Sequence, residues 1–381
     1  MSNKPELPWI PPSRTAPDGP AAWVKGFRVG NVEVKRPFIL APMSGVTDTA
    51  FRRTVQIAGR ETTGLLVTEF ICIEGLTNAN LKARTRLAFD AQLERPLAVQ
   101  IFGYEIARMA EAARICEAAG ADIVDINCGC PAPKIVRKGG GAELMRQPDH
   151  LARMVESTVA AVDIPVTVKI RTGWDDACIN ALEVSRQCER AGAQMIAIHG
   201  RTRKQLYGGQ PDWDLIAEVA DHVDVPVVGS GDIADAAGAL YRLRESGCAG
   251  VMIGRAAVMN PWIFGQVDDL VQGRVARVAD DAERLRVLAG FRDMMRAYIP
   301  ERAIPGRLKQ LLARLTKGFD HGGLLRHRVL RAKTTEEMFE WIESFFAATD
   351  EGRIDQWAVK EKDLPPPSPR VPRGVRRRRA A

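Results

Sequence analysis

The sequence predicts a (β/α)8 TIM barrel followed by a small all-α helical domain. Between residues 38 and 257, apolar runs of strand length alternate with segments that carry apolar residues at helical spacing. This alternation is typical of parallel strands buried on both faces and connected by helices. Eight such runs fit a closed barrel better than an open sheet. The predicted strands are 38–43, 65–70, 97–103, 123–129, 166–173, 195–201, 225–233 and 250–257.

The alternation stops after Ala257, which predicts a change of domain. Residues 278–348 have helical spacing only, and 307–315 carries a leucine stripe between Pro305 and Gly318, which suit a helix start and end. Within the barrel, helices are predicted over 105–119 and 177–191, with Gly120, Gly192 and Gly247 as C-caps. The predicted organisation is an N-terminal extension (1–35), a barrel domain (36–275), a helical domain (276–350) and a disordered Pro/Arg-rich tail (351–381).

The charge distribution predicts a polyanionic partner. The 381 residues carry a net charge of +7, and residues 301–333 hold nine Lys or Arg against Glu301 and Asp320 alone. A local basic excess of this kind suits nucleic acid. The arginines of the C-terminal tail, Arg370, Arg373 and Arg376 to Arg379, are equally well explained as a solvated segment that aids solubility.

Other features bear on class and compartment. No apolar run approaches the roughly 18 residues that a membrane span needs. The first 20 residues lack the continuous apolar core of a secretory signal. The seven cysteines are scattered and have no metal-ligand spacing, so we expect free thiols in a reducing cytoplasm and no metal site.

Polar and glycine clusters follow nearly every predicted strand, at the rim where barrel enzymes build their active sites. The most informative is Asn127–Pro131, in which Gly129 allows a sharp turn and Pro131 fixes the chain beyond Cys130. A thiol with a pKa of about 8.5 is mostly protonated at neutral pH, as a general acid must be. The alternative is that Cys128 and Cys130 are small buried hydrophobes. The Gly139–Gly141 run reads as a mobile basic loop that could close over substrate.

The ends of the seventh and eighth strands suit a phosphate group. Gly229–Asp232 and Gly254–Arg255 offer glycine backbone amides, and Arg255 could add a charge-assisted hydrogen bond. An alternative reading of Gly229, Gly231 and Ala234 as a dinucleotide fingerprint is weak, because it falls in the seventh unit of the series.

Lys169 and Arg171 lie two apart on one strand and should face the same way. At a barrel mouth, Lys169 could form a Schiff base, stabilise an anionic ring such as reduced flavin, or pair with Glu69 or Asp125. Gln100 could bond the edge of a flat heteroaromatic ring through its amide, and His199 a phosphate or ring carbonyl.

Five ordered motifs resemble those of the tRNA-dihydrouridine synthase family. They are Ala41–Asp48, Asn127–Pro131, Lys169–Gly173, His199–Arg203 and Gly254–Arg255, and the similarity runs from about residue 38 to 345. The resemblance implies an FMN-bearing barrel and a helical domain that grips tRNA. It also implies that NADPH reduces FMN, that a hydride passes from the reduced flavin to C6 of a uracil, and that Cys130 protonates C5. An enzyme of this kind needs no membrane and no obligate protein partner.

The resemblance assigns the site residues as follows. Cys130 is the catalytic acid. FMN contacts fall on Pro42, Met43, Ser44, Gln100, Lys169, His199, Ser230, Gly231, Asp232, Gly254 and Arg255. Substrate contacts fall on Asn127, Arg171, Arg201, Arg307 and Arg314. One position departs from the family, which usually has Asn where this chain has Ser230, so that flavin contact either passes through water or is lost. A reductase of free pyrimidines and an inactive tRNA-binding protein remain the alternative hypotheses.

Overall fold

The computed structural model describes residues 19–359 and contains thirteen β-strands in this part of the chain. In chain order they are β1 Phe27–Val29, β2 Val32–Val34, β3 Phe38–Leu40, β4 Leu65–Val67, β5 Ile71–Cys72, β6 Leu97–Phe102, β7 Ile123–Asn127, β8 Val166–Arg171, β9 Gly173–Asp175, β10 Cys178–Ile179, β11 Ile196–His199, β12 Val227–Ser230 and β13 Gly250–Ile253.

Eight of these strands close into the predicted parallel barrel. Its order is β3, β4, β6, β7, β8, β11, β12 and β13, and β13 pairs back onto β3 through Val251 with Phe38 and Met252 with Ile39. Each barrel strand lies within one of the eight predicted runs, so the fold class is confirmed. The short strand β5 pairs in parallel with the last residues of β6, and β9 with β10 forms a hairpin directly after β8.

The helices surround the barrel and then form a separate helical region. They are α1 Pro20–Trp23, α2 Thr49–Ala58, α3 Ile73–Thr77, α4 Leu81–Leu87, α5 Ile106–Ala118, α6 Pro133–Val136, α7 Pro148–Val159, α8 Ala181–Arg190, α9 Trp213–Ala220, α10 Ala236–Ser246, α11 Arg255–Met259, α12 Ile263–Val271, α13 Asp281–Tyr298, α14 Ile304–Leu315, α15 Gly322–Val329, α16 Thr335–Asp350 and α17 Ile354–Val359. Gly120, Gly192 and Gly247 have positive φ angles of 91°, 96° and 63°, as predicted for C-caps.

The N-terminal end of the barrel is closed by a hairpin that the sequence assigned to the extension. Strands β1 and β2 pair antiparallel, and Val29 and Val34 pack fully buried against barrel-interior residues such as Ile39 and Leu65. Since apolar side chains fill this end, the carboxyl ends of the strands form the rim on which functional groups collect.

The helical region extends further than predicted. Residues 354–359 form α17, and Trp357 is buried with Arg328 stacked over its ring at 4.0 Å. The boundary predicted at 351 was therefore wrong, because a tryptophan anchors this segment to α16 through a hydrogen bond from its Nε1 to Ser344 Oγ. The prediction of disorder for 362–381 lies outside the described residues.

No helix among residues 19–359 is both long and apolar enough to cross a membrane. In the same part of the chain, no group of three or more His, Cys, Asp or Glu side chains is arranged to hold a metal ion.

A buried ion pair holds α2 against the barrel and leads to a prediction about the stability of the protein. Arg52 and Glu94 are both fully buried, with Arg52 Nε 2.5 Å from Glu94 Oε2, and Arg52 Nη1 also donates to Thr47 O. Removing one partner leaves an unpaired buried charge. We expect Arg52→Ala to lower the free energy of unfolding by about 3–5 kcal/mol in urea titrations.

The matched control is Glu105→Ala, which removes a partner of the exposed Glu105–Arg108 pair. Exposed pairs contribute less than about 1 kcal/mol, so this variant should unfold close to wild type. Equal losses in the two variants would contradict the role given to the buried pair.

Candidate active site

The predicted site residues of the barrel meet at one rim. Strand register places Asn127 beside Lys169, and Arg171 beside His199, which in turn lies beside Ser230. The motif after β3 reaches the same rim next to β13, since a Cβ placed on Gly254 would lie 3.7 Å from Met43 Sδ. The structure therefore brings together residues from the ends of β3, β6, β7, β8, β11, β12 and β13, as predicted.

A chain of buried hydrogen bonds positions the cysteine turn. Thr167 Oγ1 donates to Asp125 Oδ1 at 2.6 Å, and Gln100 Nε2 donates to Asp125 Oδ2 at 2.6 Å. Asn127 Nδ2 then donates to Gln100 Oε1 at 2.8 Å, and Asn127 Oδ1 accepts from the Cys130 backbone N–H at 2.9 Å. The first three links run between neighbouring strands and the last lies within the turn, so the turn is held by the barrel wall.

The two cysteines of the turn have different surroundings. Cys128 is fully buried in the core, whereas Cys130 is only partly buried at the rim. Burial raises the pKa of the Cys130 thiol, an effect that Arg171 and Lys169 partly oppose. A raised pKa keeps this thiol protonated at neutral pH, which a proton donor requires. The buried-hydrophobe reading therefore fits Cys128 and not Cys130.

The glycine run beyond the turn is packed against it. Ala142 N donates to Cys130 O at 3.1 Å, and Gly141 has a φ of +62°. A Cβ on Gly141 would lie 2.7 Å from Cys130 O, so only glycine allows this approach. The structure differs from the mobile loop expected from sequence, because Gly141 begins a 3-10 helix, Gly141–Arg146, that supports the cysteine.

Lys169 is the cationic centre of the rim. Burial first, and then Arg171, lower its pKa to about 8. Within residues 19–359 Lys169 forms no ion pair with Glu69 or Asp125, although the Asp125 carboxylate is near enough to oppose the lowering of its pKa. An anionic group bound beside Lys169 would favour its charged form.

Arg171 connects two loops of the rim. Its Nε donates to Gly129 O at 2.7 Å, and its Nη1 donates to Thr202 O at 2.9 Å and to Leu206 O at 3.2 Å. The side chain thus ties the cysteine turn to the loop that follows β11. Its Nη2 forms none of these bonds, and the predicted contact of Arg171 with substrate stays a prediction.

Arg201 and Asp232 form the most buried charge pair of the rim. Arg201 is 1% exposed, and its guanidinium binds both oxygens of Asp232 as well as the carbonyls of Gly208 and Gly209. Arg255 Nη2 donates to Asp232 Oδ1 at 2.5 Å from the solvent side. Arg201 therefore holds a loop and a carboxylate, and its predicted contact with substrate stays a prediction.

His199 is held neutral. Burial and the nearby cations, Lys169 first, lower its pKa to about 2. A neutral imidazole can donate one hydrogen bond and accept another without adding charge. Tyr207 approaches this ring with a centroid distance of 6.4 Å and carries Arg255 over its own face at 4.8 Å.

The predicted FMN-contact motif forms a tight turn held from several sides. Met43 N donates to Thr47 Oγ1 at 3.0 Å, and Gly45 N donates to Glu69 Oε2 at 2.8 Å. Ser44 stands exposed at the apex, and Arg52 donates to Thr47 O from behind. Ser230, the departure from the family pattern, is 9% exposed at the end of β12.

The two predicted substrate residues of the helical domain differ. Arg307 Nη1 donates to Gly45 O at 2.6 Å, and Arg307 Nη2 lies 3.3 Å from Asp48 Oδ2. Arg314, two turns along α14, is exposed, and within residues 19–359 no hydrogen bond or ion pair holds its side chain. Only Arg314 presents an unengaged guanidinium to a partner.

Sequence reasoning missed the residues that support the site from behind. Asp125 and Glu69 were considered only as partners of Lys169, and Thr167, Arg52 and Trp174 were not singled out. Trp174, in β9, is stacked between Arg146 and Arg203 at 4.9 and 4.8 Å. A polar residue inside an apolar strand run, such as Asp125 or Thr167, is the signal that could have revealed the buried chain of bonds.

The donor set suits an anionic cofactor with a flat ring system. Lys169, Arg171, Arg201 and Arg255 gather around His199 at this rim. Gly254 leaves the backbone open at the end of β13, whereas Pro211 packs closely against Gly231 at the end of β12. A Cβ on Gly254 would lie at ordinary contact distance from its neighbours, so the missing side chain leaves space at the barrel mouth. The phosphate and ring of FMN fit residues of this kind.

The fold and this rim define a TIM-barrel enzyme. The sequence profile of the family described as "Dihydrouridine synthase (Dus)" matches residues 39–347. The chain belongs to the dihydrouridine synthase family.

The chain is similar to several curated bacterial proteins. It is 39% identical over 325 residues to the "Probable tRNA-dihydrouridine synthase" of Rhizobium leguminosarum bv. phaseoli, covering 85% of this chain and 98% of that protein. It is 47% identical over 238 residues to the protein of the same name from Rhodobacter capsulatus, covering 62% and 72%. It is 40% identical to "tRNA-dihydrouridine synthase B" of Pseudomonas syringae pv. tomato, covering 70% and 78%.

Solved structures of distant sequence support the fold alone. A 2-naphthoyl-CoA reductase complex aligns with a TM-score of 0.50 at 14% identity, over 66% of this chain and 52% of that one. The 6-hydroxypseudooxynicotine amine oxidase of Pseudomonas geniculata N1 aligns with a TM-score of 0.51 at 15% identity, over 72% and 53%. The chain spans about half the length of each.

The different surroundings of the two cysteines generate a reactivity prediction. Burial raises the pKa of Cys130, so its thiolate fraction is small at pH 7 and grows as the pH rises through that raised pKa. We expect iodoacetamide to label Cys130 slowly at pH 7 and faster with each step towards pH 10, as read by peptide mass spectrometry. Cys128, fully buried, should stay unlabelled in the folded protein and serves as the internal control. Fast labelling of Cys130 at pH 7 would contradict a protonated thiol.

Proposed function

We propose that this protein reduces specific uridines of tRNA to 5,6-dihydrouridine, with FMN as cofactor and NADPH as reductant, in the cytoplasm. The observation that carries the proposal is the position of Cys130, which a fixed turn holds at a cationic barrel mouth where burial raises the pKa of its thiol. Membership of the dihydrouridine synthase family and the names of the similar proteins support the same activity.

FMN, when bound, would supply the hydride that reaches C6 of the uracil. Lys169 would place its ammonium beside the anionic edge of the ring, and neutral His199 would hydrogen-bond without adding charge. Gln100 retains a second N–H on Nε2, beyond the one donated to Asp125, for the ring edge. The backbone at Gly231 and Gly254, with Arg255, would hold the phosphate, and Pro42, Met43 and Ser44 would line the ring.

The cysteine would complete the reduction. Cys130 donates its proton to C5, and Asn127 and Arg171 hold the turn from which it does so through their bonds to Cys130 N and Gly129 O. Proton transfer requires the base to reach the mouth, so the uridine must leave its stack in the RNA. That unstacking costs a few kcal/mol, which contacts between the basic helical domain and the phosphate backbone can offset.

A reductase of free pyrimidines is the competing function. It would use the same barrel mouth, but it would have no need of the exposed Arg314 or the basic surface of residues 301–333. The substrate preference of the purified protein distinguishes the two.

The central prediction for the chemistry concerns the cysteine pair. Cys130→Ala should retain bound FMN and lower the rate of dihydrouridine formation by about 10²–10⁴-fold, because it removes the general acid. Cys128→Ala, two residues away in the core, should keep most of the activity. Mass spectrometry of digested tRNA measures both. Equal losses in the two variants would refute the assignment of Cys130 as the proton donor.

A second prediction separates tRNA from free pyrimidines as the substrate. Arg314→Glu should weaken tRNA binding and reduce the slope of log affinity against log salt by about 0.7 or more, because one phosphate contact is lost. Filter binding across a salt series measures this. The control is Arg244→Glu, an equal charge change at the end of α10 on the opposite face of the barrel. Unchanged tRNA affinity in Arg314→Glu, with intact reduction of free uridine, would favour the competing function.

A further inference from the structure

We propose that Arg307 is a positioning residue through which the helical domain holds the FMN-contact turn, residues 42–48, and not a contact for RNA. The proposal rests on the proposed function for the identity of the cofactor. Arg307 lies in α14 of the helical domain, yet its Nη1 donates to Gly45 O at 2.6 Å and its Nη2 lies 3.3 Å from Asp48 Oδ2. One side chain therefore binds the turn at two points, the Gly45 carbonyl and the Asp48 carboxylate.

The peptide groups of Gly45 show how the turn depends on this contact. The Gly45 N–H donates to Glu69 Oε2 from the barrel, while the Gly45 carbonyl accepts from Arg307 of the helical domain. Gly45 has a φ of +71°, a conformation that glycine adopts readily and other residues do not. Glycine permits the turn without fixing it. The Met43–Thr47 hydrogen bonds close the turn from within, and the two opposed bonds of Gly45 fix it against the barrel and the helical domain.

The second contact of Arg307 reaches the helix that follows the turn. Asp48 Oδ1 accepts from Phe51 N and caps α2, while Asp48 Oδ2 faces Arg307. A guanidinium can bind a carbonyl and a carboxylate at once because its donors form a rigid fork, which the single ammonium of lysine cannot reproduce. Arg307 thus ties the turn and the start of α2 to the helical domain together.

The turn is close enough to the barrel mouth for this tie to matter. Met43 begins it, and a Cβ on Gly254 at the end of β13 would lie 3.7 Å from Met43 Sδ. A shift of the turn would displace Met43 relative to the residues that are predicted to contact the phosphate and the ring of FMN. A helical domain that both binds RNA and holds this turn couples the binding of RNA to the binding of FMN. By linkage, each of these ligands changes the affinity for the other by the same factor.

The first arm of the test measures the release of FMN in the absence of RNA. Free FMN fluoresces, so its appearance after dilution of the holoenzyme reports the dissociation rate. Arg307→Ala should release FMN about five- to tenfold faster, Arg307→Lys should be intermediate, and Asp48→Asn, which keeps the cap acceptor, should show a smaller increase. The control is Arg302→Ala, which removes an exposed arginine five residues earlier in the same domain.

The second arm separates positioning from RNA contact. A phosphate contact at Arg307 predicts that Arg307→Ala lowers the salt slope of tRNA binding by about 0.7 to 0.9, whereas positioning leaves the slope unchanged. Far-UV circular dichroism at the assay temperature shows whether each variant is folded. Faster FMN release with an unchanged slope supports the proposal. Release at the wild-type rate in folded Arg307→Ala overturns it, as does a lowered slope. A wild-type protein that holds no FMN overturns the proposed function and this inference with it.

Discussion

The buried hydrogen-bond chain from Thr167 through Asp125, Gln100 and Asn127 to the Cys130 backbone is the constraint on which the site depends. Its members lie on three adjacent barrel strands, β6, β7 and β8, so these hydrogen bonds fix the position of the loop that carries Cys130. Polar side chains inside an apolar barrel are costly unless they are paired, and here each link pairs a donor with an acceptor. The thiol therefore reaches the mouth on a fixed turn, with Gly141 allowing support from the other side.

The electrostatics of the rim follow from the same arrangement. Lys169, Arg171, Arg201 and Arg255 converge on a space where Asp232 binds Arg201 and Arg255 closely. Burial, reinforced by these cations, keeps His199 neutral, and the pKa of Lys169 falls to about 8 because burial and Arg171 oppose its charge. Such a rim is under electrostatic strain until an anion arrives, so binding of an anionic cofactor would relieve it. Burial nevertheless keeps Cys130 protonated despite two cations near it.

The barrel could be predicted because its signals are local and repeated: eight apolar runs, helical spacing between them and capping glycines such as Gly120. The rim position of Asn127, His199 and Ser230 could be predicted because each of them ends a strand. What sequence could not supply was pairing between distant positions. Arg307 looked like a surface cation on a basic helix, yet it bonds to Gly45, and Arg201 is buried on Asp232. The end of the helical region was placed too early because α17 is short, although its apolar residues Ile354, Trp357 and Ala358 have helical spacing.

The most direct test of the account is reduction of unmodified tRNA by the purified holoenzyme with NADPH in D2O. The Cys130 thiol exchanges with solvent, so the account predicts dihydrouridine with one deuterium at C5. The N5 hydrogen of a reduced flavin also exchanges with solvent, so the label at C6 reports that exchange and not the proton donor. Mass spectrometry of the digested tRNA with fragmentation of the base measures both positions. Deuterium at C6 alone, or no dihydrouridine from protein that carries FMN, would contradict the claim that Cys130 delivers the proton.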